Sequence, residues 1–173
     1  MDAPRFEAGT RAALAGQGWR LLEAPPGLTL AGLRDAGAPF KGTRYFDQFA
    51  AETEEAAFAG GEVAYRPGLM PGSLNRTYDG AASLAAGLQA LLPPGAVPMI
   101  APAALYVWLL VEHRRRRGEW LLAQAYAWAA DRWRDTHLVV GVFGRERPLL
   151  VSPLPEGVGR GVGLAPVVVP APV

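Results

Sequence analysis

Apolar residues recur along the chain at spacings that alternate between the periods of helices and strands. In the first third they predict a short helix at Phe6–Ala15, a strand at Trp19–Glu23 and a loop rich in proline and glycine at Pro25–Gly42. Thr43 is expected to cap a longer helix that reaches about Ala59, because apolar and acidic residues then recur on opposite sides with helical spacing.

The middle of the chain continues the alternation. A strand is predicted at Glu62–Arg66, followed by a long loop at Pro67–Tyr78. Asp79 is expected to cap a helix that runs to about Leu92, since leucines and alanines recur there at helical spacing. The next predicted strand is Ala96–Ala101.

A long apolar stretch ends in a run of arginines. It predicts a helix that starts at Pro102 and is stopped by Gly118 after the arginines. A second helix with three tryptophans is predicted at Glu119–Asp135, which gives a helix–Gly–helix hairpin. The apolar run Val97–Val111 has about 15 residues, fewer than the roughly 20 that a membrane span needs, so a buried helix without membrane insertion is expected.

The C-terminal part is rich in β-branched residues. It predicts a strand at Thr136–Phe143, a turn at Gly144–Arg147 and a strand at Pro148–Ser152. A glycine loop at Gly157–Gly163 and a last strand at Leu164–Val169 follow. These strands are expected to form an antiparallel meander.

The order of elements predicts the fold class. Alternating strands and helices followed by a run of strands indicate an α/β or α+β protein, with one mixed sheet of about six strands covered by helices. A chain of 173 residues, half of them apolar, is large enough to bury a core, and residues 1–173 are expected to form a single domain.

Composition removes several kinds of chemistry. The chain has no cysteine, so disulfides and thiolate sites are excluded. His113 and His137 do not stand at a metal-ligand spacing, and no cofactor motif is present, so neither a metal nor a cofactor is predicted. The absence of a signal-like start favours a cytoplasmic location. Sixteen arginines against one lysine indicate GC-rich coding or a thermophilic source.

The run Arg114–Arg117 admits three interpretations. Four cations at a helix C-terminus face the negative end of the helix dipole, so the run can be a solvated helix end. It can also bind phosphate or nucleic acid. A third alternative pairs it with the acidic segment Asp47–Glu55, within one chain or between two.

The predicted second helix carries an unusual row of side chains. Trp120, Gln124 and Trp128 share one side of it, with Arg132 near its end, while other apolar residues form a separate stripe. The helix is therefore buried on two sides, or the tryptophan row is a homodimer interface, or it is a platform for stacking bases.

The loop before Asp79 is the predicted small-molecule site. Guanidinium, amide and phenol groups close together can hold a carboxylate or phosphate. The candidate residues are Arg66, Ser73, Asn75, Arg76, Tyr78 and Asp79, joined by Lys41 and Arg44. The structural alternative makes Asp79 a helix cap, Asn75 a turn residue and Arg66 half of an ion pair.

Three functions follow from these patterns. The first is a non-catalytic assembly module, a homodimer formed through the Trp120/Trp128 face. The second is an enzyme or sensor for a small anionic metabolite at the Arg66–Asp79 loop. The third is nucleic-acid binding through Arg114–Arg117. The sequence does not determine whether the protein is an enzyme.

Overall fold

The computed structural model describes residues 3–41, 44–142, 149–155 and 161–172. Within these ranges the protein is an α+β fold with five α-helices and nine strands, which confirms the predicted class. The helices are α1 (Ala8–Gly16), α2 (Leu30–Asp35), α3 (Arg44–Gln48), α4 (Tyr78–Leu88) and α5 (Ala103–Arg117). The strands are β1 (Arg20–Ala24), β2 (Thr53–Glu54), β3 (Gly61–Tyr65), β4 (Ala96–Met99), β5 (Tyr126–Trp133), β6 (Thr136–Val142), β7 (Leu149–Leu154), β8 (Val162–Gly163) and β9 (Val167–Pro170).

The strands form two sheets, so the prediction of one mixed sheet of about six strands is wrong. The first sheet has the order β1-β3-β9-β4, and the second has the order β2-β5-β6-β7 with β8 beside β5. Every described strand pairing is antiparallel except that of β5 with β8. Strands β5 and β6 are joined through Arg134 and Asp135 alone, a connection that is long enough for antiparallel neighbours but too short for the crossover that parallel neighbours need.

Helix α5 lies at the centre of the largest core cluster. That cluster joins buried residues of α5, such as Leu105 and Leu109, to Val63 of the first sheet and Val140 of the second. A helix that is apolar on all sides is stable only when it is surrounded. The predicted core helix ending at Gly118 is therefore confirmed, and it packs against both sheets.

Helix α4 covers the opposite face of the second sheet. Its Ala81 and Ala85 pack with Trp128 and Val139 in a separate buried cluster. The cap of this helix is Thr77 and not Asp79, because the Thr77 hydroxyl accepts the Gly80 N–H at 3.2 Å. Asp79 lies in the first turn, where a carboxylate still faces the positive end of the helix dipole.

The predicted helix from Thr43 to Ala59 is wrong over most of its length. Helix α3 ends at Gln48, and a 3-10 turn at Ala50–Glu52 leads into strand β2. Thr53 pairs with Trp133 of β5, so tertiary pairing of a β-branched residue overrides the helical pattern. Thr43 lies outside the described residues.

The predicted helix–Gly–helix hairpin is also wrong, because its second arm is strand β5. Gln124 has a φ of 63°, which a right-handed helix does not allow. From Tyr126 onward the side chains alternate between the two faces of a strand: Trp128 packs under α4, whereas Ala127 and Ala129 point into the central core. Alanine and tryptophan at short intervals fit both periods, and the pairing with β6 decides between them.

The C-terminal meander is confirmed in part. The predicted neighbours β6 and β7 are antiparallel, and β5, which the sequence predicted as a helix, pairs with β6 on the other side. The last strand, β9, instead joins the first sheet between β3 and β4. The predicted turn at Gly144–Arg147 and most of the glycine loop at Gly157–Gly163 lie outside the described residues.

Candidate anion-binding site at the end of helix α5

The arginine run forms the last turn of α5, and all four side chains are exposed. Gly118 ends the helix in the left-handed conformation, with φ 76°, and its N–H donates to the Arg114 carbonyl at 2.7 Å. The guanidinium groups of Arg114–Arg117 therefore surround the negative end of the helix dipole.

The four arginines differ in their partners. Arg115 forms a two-pronged ion pair with Glu112 at 3.0 and 2.8 Å, and Arg116 reaches the same carboxylate at 3.2 Å. The Arg114 guanidinium lies over the Trp120 ring, 4.4 Å from its centroid. Within the described part of the chain, Arg114 and Arg117 form no ion pair, so their charge is available to a partner.

A buried histidine lies directly beneath this turn. His113 is only 1% exposed, and its Nδ1 lies 3.1 Å from the Tyr65 hydroxyl. Arg20 Nη1 is 3.3 Å from the same nitrogen, and the Glu119 carboxylate is 3.6 Å from Nε2. A neutral ring that carries its proton on Nε2 directs this N–H toward the Glu119 carboxylate and leaves the single lone pair of Nδ1 to accept from Tyr65 or from Arg20.

Burial and the Arg20 guanidinium hold His113 in the neutral form. They lower the pKa of His113 below its ordinary value of 6.5, and Glu119 opposes them only in part. Burial also raises the pKa of Tyr65, although Arg20 and the α5 arginines act against it. His113 therefore adds no charge at neutral pH, and Tyr65 stays protonated.

Strand β1 adds a fifth guanidinium to the arginine run. We call Arg20 together with Arg114–Arg117 the arginine cluster. Glu112 pairs with Arg115 and Arg116, and Glu119 lies beside His113, so five guanidinium groups accompany these two carboxylates in a protein of net charge +1. Arg20 and His113 are 93 residues apart, and no sequence pattern indicates that they meet.

The loop at Arg66–Asp79, the predicted small-molecule site, does not gather its polar groups around one point. The Arg66 guanidinium lies over Trp19, with 4.6 Å to the ring centroid, and donates to the Gln17 carbonyl. Ser73 is fully buried and bonds the Met70 carbonyl at 2.6 Å. Asn75 accepts the Gly161 N–H at 2.9 Å. These side chains fasten the loop to its neighbours.

The end of the same loop anchors α4 to the second sheet. Trp128 Nε1 donates to the Arg76 carbonyl at 2.9 Å, and the Tyr78 ring stacks on His137 with centroids 3.3 Å apart. Lys41 and Arg44 do not join this loop. They line a separate cavity of about 100 Å³ beside β7, where the Lys41 N–H bonds the Leu149 carbonyl at 2.6 Å. The prediction that Lys41 and Arg44 join the loop is therefore wrong, and anion binding by the loop residues stays a prediction.

The predicted Trp120/Trp128 surface does not exist. Trp128 is 0% exposed beneath α4, and Trp120 is 7% exposed beneath Arg114. The two rings lie on different elements because the second helix is absent. Gln124 lies in the turn before β5, and Arg132 is exposed near the end of that strand. Of the alternatives for this row, burial within one chain describes the tryptophans.

A buried carboxylate lies at the other end of α5, and no sequence pattern indicates its role. Asp131 of β5 is 1% exposed and accepts the Ala103 N–H at 2.5 Å and the Ala56 N–H at 3.1 Å. Ala103 is the first residue of α5, so Asp131 caps the helix from a distant strand. Burial raises the pKa of Asp131, although the backbone donors act in the opposite direction.

Comparisons with protein-family models, with curated proteins and with solved structures found no match to this chain. Among the described residues, no group of three or more histidine, aspartate or glutamate side chains could hold a metal ion. No helix in the described ranges is long and apolar enough to cross a bilayer.

Proposed function

We propose that the protein binds the phosphate backbone of a nucleic acid through the arginine cluster. The observation that carries this proposal is the excess of exposed guanidinium charge at the C-terminal end of α5, where Arg114 and Arg117 form no ion pair with described residues. A guanidinium fork matches the oxygens of a phosphate group, and several phosphates on one polymer match several forks.

The proposal depends on the charge of the arginine cluster and not on the net charge of the whole protein. The net charge of +1 gives the molecule no general attraction for polyanions, whereas the arginine cluster concentrates five cations at one end. Arg20 supports the proposal because it reaches this end from a different element and is held there by His113.

The binding is expected to be independent of sequence. Base readout by stacking needs exposed aromatic rings, and Trp120 and Trp128 are both buried. Contacts to phosphate and sugar fix position without specifying bases.

The test measures the anisotropy of a labelled 20-nucleotide single strand. Arg114→Gln/Arg117→Gln is expected to weaken binding at least about tenfold at low salt, because two charge-assisted contacts to phosphate are lost. The matched control is Arg5→Gln/Arg34→Gln, which removes the same charge from arginines paired with Glu23 and Asp35 at 2.7 and 3.1 Å.

The control variant is expected to bind within about twofold of the wild type. Equal weakening by both variants would mean that overall charge, and not the arginine cluster, holds the strand. Inorganic phosphate serves as a competitor: if millimolar phosphate displaces the strand completely, the ligand is a single anion and not a polymer.

The other predicted functions have less support. Trp120 and Trp128 are buried, so they cannot form the predicted self-association surface, and the homodimer itself stays a prediction. The anionic metabolite predicted at the Arg66–Asp79 loop has no converging set of groups there. A cytoplasmic location also stays a prediction of the sequence.

A further inference from the structure

The first sheet opens between two of its strands. Strands β1 and β3 pair over five residues and β4 and β9 over four, but β3 and β9 pair only at Ala64–Val168 and Tyr65–Val167. Pro170, at the end of β9, has no N–H with which to continue a ladder. Strands β3 and β9 therefore stop pairing toward the start of β3.

A groove lies at this opening, and we call it the fork groove. Its lining combines the start of β3 with Pro4 of the N-terminal segment, residues 57–60, Met99, and residues 169–172. Its volume is about 580 Å³. Small-molecule sites in proteins have volumes of about 300–1,000 Å³.

Closely packed backbone holds one wall of the groove in place. Gly60 and Gly61 have φ values of 86° and 118°, which side chains rarely adopt. A Cβ added to Gly60 would lie 2.7 Å from the Pro26 nitrogen, and one added to Gly61 would lie 2.7 Å from the Pro4 carbonyl oxygen. These close approaches hold residues 60 and 61 against Pro26 and Pro4 on this side of the groove.

The chemistry of the lining is almost entirely apolar. Among the described lining residues only Glu62 is ionisable, and its carboxylate already pairs with Arg11 at 3.1 Å and accepts the Phe6 N–H at 3.0 Å. The Glu62 N–H donates to the Pro4 carbonyl at 2.8 Å, and the Ala171 N–H donates to the Gly95 carbonyl at 2.9 Å. The described lining contains no cation for an anionic ligand, its one carboxylate is already paired, and an added strand would find these two donors occupied.

We propose that the fork groove binds a neutral, largely apolar small molecule. The proposal is independent of the arginine cluster, because the groove is at the Gly61 end of β3 and the cluster is at the Tyr65 end. The carboxylate of Glu62 repels anions, and its ion pair with Arg11 leaves little charge to attract cations. The occupied backbone donors favour a compact molecule over an extended peptide, which would need them.

The test uses the neutral fluorescent probe N-phenyl-1-naphthylamine with the full chain. The wild type is expected to bind the probe and to gain thermal stability from it. Ala57→Trp places a large ring at the groove from an exposed lining position and is expected to weaken binding at least tenfold. Ala51→Trp, at an exposed position outside the lining, is the matched control and is expected to bind within twofold of the wild type.

The melting temperatures of both variants establish that they fold, and Ala59→Trp replaces Ala57→Trp if the latter does not. Decanol is expected to displace the probe at least tenfold more effectively than decanoate at pH 7.5. Absent probe binding, equal binding by Ala57→Trp and the wild type, or equal displacement by decanol and decanoate would each overturn the proposal. A dimer in light scattering that Ala57→Trp dissociates would assign the groove to a second copy and also overturn it.

Discussion

The two ends of helix α5 are compensated in opposite ways. At the N-terminal end one buried carboxylate, Asp131, reaches from a distant strand and accepts the first N–H of the helix. At the C-terminal end the helix supplies its own cations, Arg114–Arg117, and all of them are exposed. Both arrangements match the sign of the helix dipole.

The amount of charge differs between the ends. Each end of a helix carries about half an elementary charge, which one ion offsets. The N-terminal end has that one ion, buried among its donors. The C-terminal end has five guanidinium groups against Glu112 and Glu119, more than the dipole requires. We infer that the N-terminal end serves stability and that the surplus at the C-terminal end serves binding.

Asp131→Ala is expected to have the largest effect on stability. It removes the acceptor of the buried Ala103 N–H and of the part-buried Ala56 N–H, which costs about 2–4 kcal/mol of the free energy of unfolding. Urea denaturation measures this loss. Asp135→Ala, at an exposed turn, is the control and is expected to change the free energy by less than about 0.5 kcal/mol. Equal effects of the two variants would remove Asp131 from its capping role.

His113 is expected to make the C-terminal end sensitive to acid. Because its folded pKa lies below the ordinary value of 6.5, the folded state binds protons less readily than the unfolded state. Its contribution to stability is thus fully present above pH 6.5 and is lost as the pH falls through the folded pKa. Burial raises the pKa of Asp131 and gives the opposite trend at the other end, so the wild type is compared with His113→Gln.

Denaturation midpoints between pH 7.5 and 5 are expected to fall more steeply for the wild type than for His113→Gln. Parallel curves for the two proteins would show that His113 does not titrate differently on folding. Asp131 is present in both proteins and cancels in this comparison.

Glu52→Gln is expected to have the smallest effect. Glu52 pairs with Arg134 at 2.7 Å away from both ends of α5, and both side chains are more than half exposed. Solvent and salt screen such a pair, so the free energy of unfolding is expected to change by less than about 0.5 kcal/mol. A loss as large as that of Asp131→Ala would contradict the distinction between a buried cap and an exposed pair.

The sequence predicted the elements whose pattern is local. The apolar run that begins at Pro102 forms α5, and Gly118 ends it. Both were predictable because the apolar residues and the terminating glycine lie within one continuous segment. Strand β5 was predicted as a helix because the spacing of apolar residues in Ala127–Trp133 is compatible with both a helix and a strand. The strand is determined by its pairing with β6 and by its packing under α4, and the packing under α4 joins residues that are distant in the sequence.

The candidate site was predictable only in part. Arg114–Arg117 stand out as a run, and their exposure follows from their place at a helix end. The contribution of Arg20 depends on His113 and Tyr65, which approach it from two other elements. Asp131 sits among alanines and tryptophans and gives no local sign that it caps a helix beginning 28 residues earlier in the chain.

The most direct test of the account is the salt dependence of binding to the 20-nucleotide strand. If Arg20, Arg114 and Arg117 each neutralise one phosphate, log K is expected to fall against log salt concentration with a slope of about −2, from about 0.7 per phosphate. Arg114→Gln/Arg117→Gln is then expected to have a slope of about −0.7. Equal slopes for the two proteins, or binding by the wild type that does not change with salt, would contradict the claim that the surplus charge at the C-terminal end of α5 is there to bind phosphate.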